Sequence, residues 1–123
     1  MNRFKLTFNV QCFYGLLVIA WNALGVYRAS QDLEPFGPVA SMSVVAAATA
    51  VIVIFYLLLK QRWFNIYLIF STAIALMALS RVYAGIIGDP SLWPSPIFQW
   101  LGIAINFIGA SVLYCLYRDS SAK

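Results

Sequence analysis

The sequence predicts an all-α membrane protein, an up-down bundle of four transmembrane helices with both termini on the cytoplasmic side. Of its 123 residues, 63% are hydrophobic and only 10% are charged, whereas an ordinary soluble domain carries about 25% charged residues. A bilayer core needs about 20 consecutive apolar residues per helix. The sequence contains four segments of that length, at residues 8–27, 39–59, 66–86 and 97–117. We therefore expect a single transmembrane domain over residues 1–123.

The first segment, residues 8–27, follows a short basic stretch that contains Arg3 and Lys5, as a signal peptide would. Its apolar run is longer than the 7 to 15 residues typical of a signal-peptide core. In addition, no small-residue cleavage site precedes the polar loop at Arg28. We therefore expect this segment to be a helix of the mature protein.

The second and third segments form a tight antiparallel hairpin, because only residues 60–63 connect them. Small residues dominate the second segment, and Ser71, Ala75 and Ala78 form a matching strip on the third. The fourth segment contributes Gly102 and Gly109. Transmembrane helices associate through such small residues, so we interpret these strips as packing surfaces rather than a substrate path.

The orientation follows from the basic residues, which remain on the cytoplasmic side of bacterial and other membranes. One side carries six basic residues and a single acid, Asp119. The other side carries Arg28 and Arg81 with three acids, Asp32, Glu34 and Asp89. We therefore expect both termini to be cytoplasmic in a bacterial inner membrane. The net charge of +4 needs no nucleic acid to explain it, because anionic lipid headgroups attract bases at these places.

The composition also limits the chemistry. The chain has no histidine, and no Asp or Glu falls within a predicted span, so the usual haem and zinc ligands and the usual general base are missing. Cys12 and Cys115 form no C-x-x-C pattern, and we interpret them as free packing residues. We predict no catalytic residue, no metal site and no cofactor, and an enzyme is the less favoured class.

Two families resemble this chain. Its length and four-helix plan resemble the small multidrug resistance transporters, but the first segment contains Gln11 and Asn22 in place of that family's glutamate, so we do not transfer the transport function. Ser80-Arg81 and Gly88-Asp89-Pro90 are similar to the third helix of short bacterial membrane proteins of the DoxX-like type. That resemblance implies a four-helix fold with cytoplasmic termini and little specific chemistry.

Arg81 is the candidate site residue, because it lies about one and a half turns inside the end of an apolar segment. Two interpretations remain open. Its long side chain can reach the headgroup region with its stem buried, or it can point into the bundle and bind an anion in an outward-facing pocket. In the second case we expect four further polar side chains to converge on the pocket: Asn22, Ser43, Gln99 and Asn106. Each of them can also serve only as a hydrogen bond between or within helices.

Two classes of function follow from this composition. The first is a non-catalytic accessory subunit, scaffold or lipid-binding module, whose partners are membrane lipid and another membrane protein or further copies of the chain. The second is a small oligomeric carrier or lipid-modifying enzyme built on the Arg81 pocket. We favour the first, because a catalyst needs an acid, base or nucleophile within the membrane and the sequence offers none.

Overall fold

The computed structural model describes residues 2–33 and 40–121, and its regular structure is helical. The helices are α1 (Lys5–Ser30), α2 (Met42–Lys60), α3 (Phe64–Ile87), α4 (Pro96–Ala110) and α5 (Val112–Ser121). Short 3-10 turns precede α1 and α4, at Asn2–Phe4 and Pro90–Leu92. In the described part of the chain, four helices are long and apolar enough to cross a membrane, with α4 and α5 counted together. The predicted all-α bundle of four transmembrane helices is confirmed.

The ends of the helices are set by local capping that hydrophobicity alone does not reveal. α1 extends three residues beyond each end of the predicted segment. α2 begins at Met42 because the Ser41 hydroxyl accepts a hydrogen bond from the Ser43 N–H at 3.0 Å, as an N-cap does. The predicted start of this helix, residue 39, lies outside the described residues. α4 begins at Pro96 with Ser95 as its N-cap, and proline suits the first helical position.

α4 and α5 act as one span although Ser111 separates them. The Ser111 N–H donates to the Phe107 carbonyl at 2.9 Å, and the Cys115 N–H donates to the Ser111 carbonyl at 3.2 Å. The Ser111 hydroxyl also donates to the Ile108 carbonyl at 2.6 Å. Because the hydrogen-bond ladder continues across this residue, the helix axis crosses the membrane without a loop.

The bundle consists of two antiparallel pairs, α1 with α2 and α3 with α4, which pack together through α1 against α4 and α5. Both termini and the α2–α3 connection lie at one end, which we call the terminal side. The α1–α2 and α3–α4 loops lie at the other end, the loop side. The main cluster of buried hydrophobic residues lies in the half of the bundle nearer the terminal side. Its members are Phe4, Phe55, Leu59, Tyr67, Ala75, Val112 and Leu116.

Aromatic rings close the terminal side of this core. The Tyr67 ring lies 5.1 Å from the Phe4 ring and 5.6 Å from the Phe55 ring, measured between centroids. The Arg3 guanidinium caps the cluster from outside, 5.3 Å from the centroid of Phe4 and 5.4 Å from that of Phe64. Such edge and cation–π contacts add to the burial of the rings, so the α2–α3 hairpin is held firmly to the start of α1.

Glycines permit close approach at two helix crossings. A Cβ added to Gly109 would lie 2.6 Å from the Tyr14 ring and 2.9 Å from the Ala78 Cβ, so α4 meets α1 and α3 there. A Cβ added to Gly15 would lie 2.5 Å from the Ile52 side chain, where α1 meets α2. These contacts support the interpretation of the small residues as packing surfaces.

Candidate functional site

A buried polar network connects α1 to α3 across the middle of the bundle. The Gln11 side-chain amide donates to the Ser71 hydroxyl at 2.8 Å, and the Tyr67 hydroxyl donates to the Gln11 carbonyl oxygen. All three side chains are buried. Because the two helices stand diagonally across the bundle, these hydrogen bonds join the two helix pairs and set the rotation of α1 about its axis.

A second polar contact connects α1 to α4. The Tyr14 hydroxyl donates to the Asn106 side-chain oxygen at 2.9 Å, and the Asn106 amide donates to the Gly102 carbonyl one turn earlier at 3.1 Å. Asn106 is one of the candidate site residues predicted from the sequence. Its hydrogen bonds account for both ends of its amide group.

A cavity of about 100 Å³ lies between these two polar contacts. Its wall is mainly apolar, and all four transmembrane segments contribute to it. Its polar side chains are Gln11, Tyr14 and Ser71, each of which already takes part in the hydrogen bonds described above. In the described part of the chain, every buried side-chain nitrogen or oxygen has a hydrogen-bond partner. The cavity is therefore a predominantly apolar space without an unpaired polar group.

Two predicted site residues on the loop side fix neighbouring segments in place. The Asn22 amide donates to the Val18 carbonyl at 2.9 Å, and its oxygen accepts from the Ser41 N–H at 3.2 Å. The Gln99 amide donates to the Gly85 carbonyl on α3 at 2.9 Å. Asn22 thus positions the start of α2 on α1, and Gln99 connects α4 to the end of α3.

The other two predicted site residues, Arg81 and Ser43, are exposed on the outside of the bundle. Among the residues described, no hydrogen bond joins any two of the five predicted side chains. Asn22, Gln99 and Asn106 instead donate to backbone carbonyl groups. The structure therefore distributes them over separate contacts. Their role in binding a ligand stays a prediction.

The position of Arg81 on α3 relates it to the cavity. Its guanidinium is near enough to Tyr14, which lines the cavity, to interact with that side chain electrostatically. It forms no ion pair with a described carboxylate. Asp89, the nearest acid in sequence, instead accepts a hydrogen bond from the Ser91 N–H at 2.9 Å. That hydrogen bond lowers the pKa of Asp89, so the loop-side turn stabilises itself without Arg81.

A buried acid, Asp119, lies on the terminal side and is not among the site residues predicted from the sequence. Both the N–H and the hydroxyl of Thr7 donate to the same Asp119 carboxylate oxygen at 2.8 Å, and both side chains are buried. Thr7 lies in the first turn of α1, whose N–H groups have no partner within the helix. Asp119 therefore caps α1 from the last helix of the chain.

A signal for this contact does exist in the sequence. Asp119 lies in the last turn of its helix, where the helix dipole disfavours an acid. Such a residue needs a compensating partner, and the free N–H groups of another helix provide one. By contrast, Tyr67 gave no signal, because a tyrosine near the end of a membrane helix is ordinarily an interfacial residue.

Together, these features define a small integral membrane protein of four transmembrane segments whose buried polar groups are amides, hydroxyls and phenols, apart from the Asp119 carboxylate on the terminal side. Among the described residues, no three His, Cys, Asp or Glu side chains gather as they would around a metal ion. No protein-family model, curated protein or solved structure matches the chain. The resemblance to the DoxX-like proteins stays a prediction.

Proposed function

We propose that this protein is a non-catalytic module of the bacterial inner membrane that binds the phosphate of an anionic lipid through Arg81. The observation that carries this proposal is the contrast between Arg81 and the interior. Arg81 is exposed on α3 without a carboxylate among the described residues to neutralise it, whereas the polar side chains inside the bundle are hydrogen-bonded to one another or to the backbone.

The energetics of a membrane charge support a lipid ligand. An arginine at the centre of a membrane helix costs about 2.5 to 3.5 kcal/mol, and the cost falls as the guanidinium nears the headgroups. Arg81 lies six residues before the end of α3, about 9 Å along the helix axis at 1.5 Å per residue. Its extended side chain covers much of that distance, so a phosphate in the headgroup region is within its range for a charge-assisted, two-donor contact.

The size of the cavity favours a binding module over a carrier or enzyme. Sites for small-molecule substrates have volumes of about 300 to 1,000 Å³, and the cavity measures about 100 Å³. A lipid-modifying enzyme would also need an acid, base or nucleophile placed at such a site. The interior side chains here are already engaged as donors and acceptors.

The test compares wild type, Arg81→Lys and Arg81→Met in detergent, with and without phosphatidylglycerol, by thermal melting. We expect the lipid to raise the melting temperature of wild type and to have a reduced effect on Arg81→Lys, because a lysine supplies a point charge without the two-donor fork. Its effect on Arg81→Met should be the smallest, since the corresponding loss of affinity is about tenfold or more.

Arg118→Met is the matched control, because Arg118 is also exposed but lies at the terminal side of the bundle. This variant should keep the wild-type response to phosphatidylglycerol. Equal lipid responses in wild type and Arg81→Met would contradict the proposal. If a second membrane protein copurifies with wild type but not with Arg81→Met, and lipid has no effect, Arg81 contacts a partner protein instead of a lipid.

A further inference from the structure

The loop-side half of α2 is covered on one side only. No residue of α2 from Met42 to Ile54 is buried, whereas Phe55 and Leu59 near its other end are. The half that begins at Met42 packs on α1, where Ile52 meets Gly15. The face of α2 that continues from Phe55 toward the loop side is thus left without a close partner.

The helix spacing places Arg81 on the face of α3 that turns toward α2. Phe70 of α3 packs on Phe55 of α2, with the ring centroids 5.4 Å apart. Ile74, Met77 and Arg81 follow Phe70 by four, seven and eleven residues, and these spacings keep side chains on one stripe of an α-helix. Met77 and Arg81 are exposed, so the structure leaves this stripe uncovered at their level.

The corresponding stripe on α2 contains Val51, Ala48 and Val44, which precede Phe55 by four, seven and eleven residues. All three are only partly buried. We call the strip between the two stripes the α2–α3 furrow. It is closed on the terminal side by Phe55 and Phe70 and has Arg81 toward its loop-side end.

The floor of the α2–α3 furrow is the cavity. Ala48 and Val51 of α2 and Ile74 of α3 belong both to the furrow and to the cavity wall. Apolar cavities without unpaired polar groups do not hold water well and accept apolar guests. Because the polar side chains of this cavity are satisfied within the protein, hydrocarbon suits it better than water.

We infer that the α2–α3 furrow binds one molecule of an anionic phospholipid, whose phosphate contacts Arg81 and whose acyl chain descends along Met77 and Ile74 into the cavity. This inference rests on the proposed function and adds the route of the chain. Arg81 lies seven residues from Ile74, about 10 Å along α3, so the phosphate and the cavity are separated in the direction in which a lipid extends from headgroup to tail. The positive charge at one end and the apolar space at the other match the two parts of a phospholipid.

The first experiment measures binding of dioleoyl-phosphatidylglycerol by native mass spectrometry to wild type, Ala48→Phe and Ala46→Phe. A phenylalanine at position 48 points into the furrow and should weaken lipid binding about tenfold. Ala46 is exposed on another face of α2, so the same substitution there should leave binding unchanged. Val51→Phe obstructs the furrow at a second level and replaces Ala48→Phe if that variant does not fold.

The second experiment uses only the wild-type protein. Dihexanoyl-phosphatidylglycerol carries the same headgroup on chains too short to reach from Arg81 into the cavity, and inorganic phosphate carries no chain. We expect dioleoyl-phosphatidylglycerol to bind at least about tenfold more tightly than the short-chain lipid and inorganic phosphate not to stabilise the protein. Equal binding of the long-chain and short-chain lipids would overturn the furrow as the site of the acyl chain.

The variants separate this inference from the proposed function. If Arg81→Met loses the response to phosphatidylglycerol while Ala48→Phe and Val51→Phe retain it, Arg81 binds headgroups and the furrow holds no chain. If Ala48→Phe loses binding while Arg81→Met retains it, the furrow takes an apolar chain and the assignment of the phosphate to Arg81 is wrong. Only loss in both, with binding kept by Ala46→Phe and Arg118→Met, supports the complete inference.

Discussion

Tyr67 contributes to the bundle core both through its ring and through its hydroxyl group. Its ring packs between Phe4 and Phe55, and its hydroxyl donates to Gln11, which in turn donates to Ser71. The side chain is fully buried. Hydrogen bonds between membrane helices contribute about 0.6 kcal/mol on average and up to about 1.7 kcal/mol, so this network has a measurable but moderate effect on stability.

Tyr67→Phe should therefore lower the free energy of unfolding by about 1 kcal/mol, because it keeps the ring and leaves the Gln11 oxygen without its donor. The measurement is equilibrium unfolding in mixed micelles. Tyr83→Phe is the control, since Tyr83 is 65% exposed and should change little. Adding Gln11→Leu to Tyr67→Phe should cost less than the sum of the single changes; additive costs would show that the two side chains do not interact.

The polar residues of the interior were harder to predict than the helices. Long apolar runs identify transmembrane segments directly, because the thickness of the bilayer fixes their length. They do not identify which face of each helix is turned inward, since a helix that is apolar on all sides has no periodic signal. Asn106 was therefore identifiable from the sequence as a candidate residue, whereas Tyr14, which donates to it, was not.

The ends of α1 and α5 form a second structural unit, although they are 112 residues apart in sequence. The carboxylate of Asp119 accepts two hydrogen bonds in the first turn of α1, where the helix dipole favours an anion. An acid that is unfavourable at the end of its own helix becomes favourable at the start of another. The contact also holds the two terminal segments side by side.

Asp119→Ala should destabilise the protein by about 1 to 2 kcal/mol, as loss of a helix cap does. Hydrogen exchange of the first-turn amides of α1 should become faster, and exchange at the loop-side end of α1 should not change. Thr7→Val removes the hydroxyl but keeps the N–H, so its effect should be the smaller of the two. Ser120→Ala, at an exposed neighbouring position, is the control; unchanged exchange in Asp119→Ala would disprove the cap.

The starts of α2 and α4 illustrate how much of each element the sequence reveals. The apolar runs located both helices to within a few residues, whereas their first residues depend on Ser41 and Ser95 as N-caps. Ser41 is itself held by the Asn22 oxygen on α1. Such a boundary depends on a contact between distant residues, so hydrophobicity cannot fix it.

The bundle as a whole is asymmetric between its two sides. On the terminal side, aromatic packing and the Asp119 cap join all the helices into a closed core. On the loop side, α4 still approaches α1, because a Cβ on Gly102 would lie 3.7 Å from the Trp21 ring, whereas α2 has no buried residue between Met42 and Ile54. The sequence indicated the close α2–α3 connection through its short loop, but it did not indicate that α2 would have no buried residue on the loop side of Phe55. That difference depends on side-chain packing, which apolar runs do not reveal.

The orientation of this asymmetric bundle determines which leaflet the furrow faces. The six basic residues of the terminal side are Arg3, Lys5, Lys60, Arg62, Arg118 and Lys123. Because basic residues remain in the cytoplasm during insertion, we expect the terminal side to be cytoplasmic. The furrow and Arg81 then face the outer leaflet.

Cysteine labelling of intact cells tests this orientation in a background lacking Cys12 and Cys115. A membrane-impermeant reagent should modify Ser30→Cys and Ser91→Cys, which lie on the loop side, and should not modify Gln61→Cys in the α2–α3 connection. All three positions are exposed in the folded protein, so a difference in labelling reports the side of the membrane rather than burial. Permeabilised cells provide the control, in which Gln61→Cys should react as well. Labelling of Gln61→Cys alone in intact cells would reverse the orientation and place Arg81 among the anionic lipids of the cytoplasmic leaflet.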